Sequence, residues 1–439
     1  MEIEYDSRAY FTQNRIKISA CETRSMIQLG GVQDALSNQS TSAPVPKIPI
    51  HHHPSMNNPP ILLIVSGPDV NTRIPLMNYL GGFQIAAAGS ERGLEKQFAR
   101  EGYPFYYYPL NRTANPIADL ISLVNLTLLF QRLRPDIVHT FSTKPGVWGR
   151  IAAKLAGVPV IIGTLPGLGT LYADESFISR FIRTIYQPLQ KLACTHSNLT
   201  IFQNPEDAGH FISSGIVAEN KARVILSSGV ETDIYDPEKI SLSQKERVRT
   251  ELGISSDILV VTMISRLLRS KGVIELAEAA YSVKQKYSDV EFLLIGSEDP
   301  DSIERLTSDE LLNLGNNIIY SDARSDISAV LAATDIFVFP SYYREGVPRV
   351  LLEAASMGLP LITTDNPGCK EVLDGNGLLI PARDSAALVE AVLKLLADPV
   401  LRDQFGRKSR ELAISKFDLL LIAEQTQSVY LDLLSGTEK

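Results

Sequence analysis

From Pro60 onward the chain alternates short apolar runs with longer stretches of helical spacing, and it does so in two successive series. In the first series the runs fall at 61–65, 83–88, 105–108, 137–140, 160–164 and 199–203, with 224–226 closing it. In the second they fall at 259–264, 291–295, 317–320, 336–339 and 361–364. Helical spacing covers 116–132 and 147–156 in the first half, and 273–287, 326–333 and 385–397 in the second. A strand apolar on both faces must be covered on both faces, and that happens in parallel sheets with crossover helices. The expected fold class is therefore α/β: two doubly wound parallel-sheet domains facing a cleft. A chain of 439 residues is also too long for one ordinary core. The polar stretch 236–255 marks the expected boundary between domains at 59–236 and 237–416. A last helical segment, 417–439, is placed to pack back on the first domain.

The second series carries a charged constellation. Residues 337–371 read as a buried strand, a loop with Glu345, a helix with Glu353, a stop at Gly358 and a second strand. Pro348 suits a first helical turn, where a missing N–H loses nothing. Glu353 then sits roughly one and a half turns in, at about 3.6 residues per turn. The N–H groups of Gly346, Val347, Arg349 and Val350, around Pro348, would stand at a positive helix end, a place suited to an anion. Arg266 and Lys271 follow the first strand of this series and would face the same cleft, unless they form an ordinary solvated loop. Gly296 ends the next strand and would let a ligand approach the backbone. Ala323 and Arg324 lie in the loop 322–326, which is either a nucleotide-base cup or a simple turn.

The order of these pieces resembles glycosyltransferase family 4, the retaining nucleotide-sugar glycosyltransferases of GT-B fold. The pieces are RLLRSKG, strand–Gly, strand–loop, PSYYREGVPRVLLEA, then GLPLITTDNPGCKEV and NGLLIP. The resemblance implies that Glu345 contacts the donor sugar and Glu353 the donor ribose. It implies that Arg266 and Lys271 hold the diphosphate, with residues 346–350 facing phosphate or sugar. It implies no cofactor and no metal, the nucleotide-sugar being a co-substrate and a UDP-sugar the favoured donor. The implied acceptor is a saccharide, best matched by a lipid-linked glycan of polysaccharide assembly. Glu345 then orients the sugar and stabilises its oxocarbenium-like charge.

The first half is less explicit. His139 and Lys144 flank the end of one strand, and each is a catalytic candidate. The family often has a second histidine two residues after the first, and Phe141 stands there. His139 is thus either catalytic or a hydrogen-bonded strand-end residue. Gly67 after the first strand and Gly167 within 163–169 are candidates for the acceptor side. The segment 177–191 interleaves aromatics with Arg180, Arg183 and Lys191. It either rests on a membrane surface or packs on its own domain. A nucleotide-sugar 2-epimerase and a non-catalytic nucleotide-sugar-binding protein stand as rival readings of the same fold.

Net charge is −8, which gives no general attraction to nucleic acid. Three cysteines, Cys21, Cys194 and Cys369, form no metal-type pair and suit a reducing compartment. The expected location is cytoplasmic, with peripheral contact at the inner membrane face. No apolar run is read as long enough to span a bilayer. Residues 1–58 read as a disordered extension, with 38–60 rich in Ser, Thr, Pro and Asn, Met56 an alternative start, and His51–His53 either a metal site or part of a solvated linker.

Overall fold

The computed structural model describes residues 58–111, 115–169, 177–300, 302, 304–314 and 317–437. The expectations for Cys21, His51–His53, Met56 and disorder before residue 58 lie outside them, as do the side chains of Phe177 and Phe181.

Among the described residues, thirteen strands form two sheets. The first holds β1 (Ile61–Val65), β2 (Gln84–Gly89), β3 (Phe105–Tyr107), β4 (Ile137–Phe141), β5 (Val160–Leu165), β6 (Leu199–Phe202) and β7 (Ala222–Val224). Its order is β3-β2-β1-β4-β5-β6-β7. The second holds β8 (Leu259–Ile264), β9 (Val290–Ile295), β10 (Ile318–Ser321), β11 (Ile336–Phe339), β12 (Leu361–Thr364) and β13 (Gly377–Ile380). Its order is β10-β9-β8-β11-β12-β13. Every pairing is parallel. Both sheets therefore reverse direction beside their first strand, at β1/β4 and at β8/β11. Ligands of doubly wound sheets bind at that switch point, beyond the carboxyl ends of the strands.

The continuous apolar runs are explained by cover on both faces. In β1, Leu62 and Ile64 pack into one core, while Leu63 and Val65 pack into another. The first core is completed by the C-terminal helix Leu419–Thr437, which contributes Leu419, Ile422, Ala423, Val429 and Tyr430. The second is completed by Leu126, Leu129 and Phe130 of helix Pro116–Leu133. Two crossings join the halves side by side. Val230 N–H donates to the Phe417 carbonyl at 2.9 Å, and Leu419 N–H donates to the Val230 carbonyl at 2.9 Å.

Several elements differ from the sequence expectation, each for a physical reason. The polar stretch 236–255 contains helix Leu242–Glu251, started by a reciprocal cap between Ser241 and Gln244. Val248 is its one buried residue, so no apolar period announces it. β13 was not expected, because Leu378 and Leu379 are not fully covered. The helix expected from 147 starts at Thr143, with Pro145 and Gly146 buried in its first turn. Helix Pro116–Leu133 is long and apolar enough to cross a membrane by length and composition, contrary to the expectation that no run is. Asp119, Asn125 and Arg132 interrupt its apolar residues and hide that character from a simple run count.

Candidate functional site

At the switch point of the second sheet, β8 and β11 are hydrogen-bonded neighbours, and their loops interlock. Gly272 adopts a left-handed φ of +84°, and a Cβ there would lie 2.3 Å from the Pro340 carbonyl oxygen. Only glycine lets the chain after β8 pass so close to the end of β11. The Ser270 carbonyl then accepts the N–H groups of Tyr342 at 2.8 Å and Tyr343 at 3.0 Å. This brings Lys271 onto Glu345: Lys271 Nζ donates to Glu345 Oε1. Ser341 Oγ donates to the same oxygen at 3.3 Å, and the Tyr343 ring lies 4.6 Å from the ammonium. The pair is nearly buried, so it behaves as a fixed dipole rather than a mobile surface bridge.

Helix Arg349–Ser356 begins just beyond, with Pro348 extended at the cap and no side chain accepting from its first turn. Its N–H end and macrodipole are thus available to an anion. Glu353 is buried inside this helix. Arg349 Nε donates to its Oε1 at 2.9 Å, and the Tyr235 hydroxyl bonds it as well. Burial raises the Glu353 carboxyl above its usual range, with Arg349 opposing the shift.

Between the two sheets lies a cavity of about 280 Å³. Glu345, Gly346, Val347, Pro348 and Arg349 form one wall. The ends of β4, β5 and β6 form another, with His139, Phe141, Thr164 and Gln203. The helical turn before Ile74 adds Asp69 and Arg73, and Glu231 and Thr426 complete the polar lining. His139 is fully enclosed. One ring nitrogen meets the Tyr430 hydroxyl at 2.6 Å and the other the Thr164 hydroxyl at 2.7 Å. Burial pushes its pKa down to about 3, helped by the charges of Arg73 and Arg150. It is therefore neutral at pH 7, with both nitrogens engaged. Arg73 stacks on the Phe141 ring at 4.7 Å and donates through Nη1 to Ser228 Oγ at 3.1 Å. Its Nε is buried without a partner among the described residues.

The two walls are pressed together by glycines. A Cβ on Gly346 would lie 1.7 Å from the Pro166 carbonyl oxygen, and one on Gly167 would lie 2.4 Å from Gly346 N. Gly169 N–H donates to the Arg344 carbonyl at 3.0 Å, and Arg344 Nε donates to buried Asp207 Oδ1 at 2.8 Å.

The expected residues thus divide. Lys271, Glu345 and 346–349 come together, and Glu353 accepts from Arg349 within the helix, outside the cavity lining. Arg266 is half exposed and bound to Asp299 at 2.6 Å, outside the cavity. Gly296 is packed against backbone, since a Cβ would lie 1.7 Å from the Ser265 carbonyl oxygen. Ala323 is exposed, and Arg324 is held by Asp326 at 2.7 Å and Glu251 at 2.9 Å. Val350, inside helix Arg349–Ser356, packs against the core. Lys144 is turned to Asp119 at 2.7 Å and the Asn111 carbonyl at 3.1 Å, away from the cavity lining. Gly67 has only ordinary neighbours, including Asp69 and Pro145. Gly167 faces the other domain's backbone, where an acceptor contact was expected. Sequence reading missed Arg73, Asp207 and Glu231. For Asp207 a signal existed in Asn204-Pro205, since Asn204 caps that helix by accepting from Asp207 N–H at 2.7 Å.

Comparison with known proteins bears on this geometry. Residues 82–226 match the model of a glycosyl transferase 4-like domain, and residues 258–398 match that of the glycosyl transferases group 1. The Escherichia coli UDP-Gal:alpha-D-GlcNAc-diphosphoundecaprenol alpha-1,3-galactosyltransferase is 30% identical over 356 residues, 80% of this chain and 89% of that protein. The chain belongs to the group 1, family 4-like glycosyltransferases. The Campylobacter jejuni N,N'-diacetylbacillosaminyl-diphospho-undecaprenol alpha-1,3-N-acetylgalactosaminyltransferase is 31% identical to this glycosyltransferase over 332 residues, 75% of this chain and 86% of that one. Among solved structures, Anabaena HepE in complex with UDP superposes at a TM-score of 0.69 with 20% identity, covering 85% of this chain and 100% of that one. A glycosyltransferase from Rickettsia africae ESF-5 superposes at 0.70, also with 20% identity, covering 86% and 99%. The first matched segment of this glycosyltransferase covers β2 to β7 and the second β8 to β13, and the fold is GT-B.

Proposed function

We propose that this glycosyltransferase moves a sugar from a UDP-sugar to a lipid-linked glycan at a membrane face, with retention at the anomeric carbon. The observation that carries the reading is the Lys271–Glu345 pair at the start of helix Arg349–Ser356, opening on a cavity shared with the first sheet. The named substrates of the E. coli and C. jejuni relatives, both diphosphoundecaprenol-linked, and the UDP held by HepE support it.

The chemistry follows from the charges. The bond from the anomeric carbon to the diphosphate oxygen breaks, and negative charge gathers on the leaving group. Lys271 and the N–H end at 346–350 lie where they would stabilise that charge, and Arg266 would join by leaving Asp299. The sugar becomes oxocarbenium-like. Glu345 is fixed by Lys271 and Ser341, so it acts as an orienting charge beside the sugar. The acceptor oxygen bonds the anomeric carbon on the face the diphosphate leaves, and its proton passes to the departing phosphate oxygen. His139 is neutral with both nitrogens engaged, so we assign it to positioning. Glu353 takes the ribose hydroxyls, with Arg349 and Tyr235 setting its angle.

A thermal-shift panel of UDP-, GDP- and ADP-sugars tests the donor. A UDP-sugar at a hundredfold excess over its Kd stabilises the protein by about 2.7 kcal/mol through mass action. Absence of a shift with every sugar nucleotide overturns the reading. Glu353→Ala lowers the affinity for that donor by roughly ten- to a hundredfold, the range of one or two hydrogen bonds to a charged group. Unchanged affinity removes Glu353 from the site. The anomeric configuration of the product, read by NMR, decides retention.

A further inference from the structure

Among the described residues, seventeen large apolar side chains are exposed, and nine of them stand on three adjacent helices of the first domain. These helices, Pro116–Leu133, Thr143–Leu155 and Phe177–His196, pack side by side with the second in the middle. Helix Pro116–Leu133 carries five: Ile117, Leu120, Ile121, Val124 and Leu128. At about 100° per residue these fall on one narrow stripe, opposite the buried face of Ser122, Leu126, Leu129 and Phe130. The helix thus has two apolar faces. One covers the sheet, and the other, with Ile117 74% and Leu128 60% exposed, covers nothing among the described residues. Leu155, Ile182, Ile185 and Leu192 extend the patch across the other two helices.

Charge is distributed as unevenly as apolar area. The three helices hold seven Lys or Arg, one in the first and three in each of the others, against a single acid, Asp119. Asp119 is bound to Lys144. Arg132, Lys154, Arg180 and Lys191 are exposed around the apolar patch. This stands in a chain whose net charge is −8. An apolar stripe ringed by cations fits the boundary between anionic headgroups and acyl chains. A second copy of the same face would set cations against cations. Residues 1–57 carry five acidic and five basic side chains, so they offer no net complement either.

Position supports the same occupant. All three helices start at the carboxyl edge of the first sheet, the edge that borders the cavity. Six of the nine exposed side chains lie in the first halves of their helices, toward that edge. We propose that this face docks on an anionic bilayer, with helix Pro116–Leu133 seated along the headgroup–acyl boundary and the cavity mouth beside it. The proposal rests on the reading of a lipid-linked acceptor, since it gives that acceptor a short path from bilayer to site.

The test is co-sedimentation of the full chain with vesicles of phosphatidylglycerol and phosphatidylcholine, and with phosphatidylcholine alone. Wild type binds the anionic vesicles and releases them as salt rises. Leu120→Glu with Val124→Glu reduces binding about tenfold or more, and so does Arg180→Glu with Lys191→Glu. These side chains are exposed, so melting temperatures stay near wild type, and UDP shifts the melting of all three proteins equally. Equal vesicle binding by wild type and the Leu120/Val124 variant overturns the docking face. So does a concentration-dependent dimer, seen by sedimentation velocity, that this variant dissolves. Binding that appears only after removal of residues 1–57 overturns it too, in favour of that segment as the occupant. Loss of the UDP shift in every protein instead defeats the functional reading and leaves the docking result standing.

Discussion

The two sheets share one strand order, and they differ in what they set at the switch point. The second sheet places charge there: Lys271 against Glu345, beside a helix end without a side-chain cap. The strand ends of the first place neutral, enclosed groups there, and charge enters that wall only from Asp69 and Arg73 in the turns after β1. His139 lies between the Tyr430 and Thr164 hydroxyls, and Ser66 Oγ is 3.4 Å from Ser142 Oγ. The same fold thus supplies an electrostatic wall on one side and a shape-determining wall on the other. That suits a reaction in which the charged leaving group belongs to one domain and the sugar lies between both. The contrast also marks where each wall is vulnerable. Removing a charge should damage chemistry, whereas removing a buried hydrogen bond should damage stability first.

The largest expected effect is at Glu345. Glu345→Ala removes the carboxylate and leaves Lys271 without its partner. Turnover falls by about 10²–10³, the scale of one preorganised electrostatic group. The measurement is kcat at saturating donor, alongside the UDP-induced thermal shift. Turnover close to wild type would show that the charged wall is structural and erase the contrast. Glu345→Gln keeps the shape, so its loss of turnover isolates the charge.

A smaller effect is expected where the walls meet. Gly346→Ala puts a Cβ into the Pro166 carbonyl, and the Gly368 backbone closes the opposite side of Gly346. The side chain cannot be absorbed without moving the domains apart. Turnover drops roughly a hundredfold, because a displacement of about 1 Å disturbs the reacting geometry to that extent. Val347 on one side of this contact and Leu165 on the other are core residues, so the melting temperature falls as well. Small-angle scattering should show a more open molecule. A variant that stays compact and active would mean that the closed arrangement is not the working one.

Most of the fold was legible because burial on both faces leaves a strong trace. β1, β8, β11 and β12 begin and end where their apolar runs do. β13 and helix Leu242–Glu251 were not legible, since one is partly uncovered and the other buries one side chain. At the site, Glu345 and Lys271 stood out through the order of the motifs rather than through their own loops, and the structure brings the two together. Arg73 was not, since it comes from a short turn and acts through a fold that brings Phe141 beneath it. Gly167 and Gly296 were visible as glycines, yet their reason was not. Each is required by a backbone passing at close range, and a sequence shows where a side chain is missing without showing what occupies its place. Arg266 and Arg324 show the converse, since their charge was legible and the carboxylates that engage them were not.

The smallest effect on activity, and the most direct probe of the neutral wall, concerns pH. His139 has a folded pKa near 3, against about 6.5 in an unfolded chain. Between those values the unfolded state binds a proton that the folded state refuses. Stability is therefore fully present above about pH 6.5 and is lost as pH falls toward 3, at up to about 1.4 kcal/mol per pH unit. The buried carboxyls of Glu353 and Asp207 act in the opposite sense, because burial raises their folded pKa values. Wild type alone would mix these slopes, so the informative quantity is its difference from His139→Gln. At pH 7.5 the variant is less stable by about 1–3 kcal/mol, because the Tyr430 and Thr164 hydroxyls lose a fitted partner. On acidification the gap narrows, since the variant has no imidazole to protonate. Denaturant titrations at pH 7.5, 6.0 and 5.0 read this directly. A gap that stays constant across the series would mean that His139 is charged or solvated in the folded protein. The first sheet's wall would then be electrostatic like the second's, and the division of labour between the sheets would fall with it.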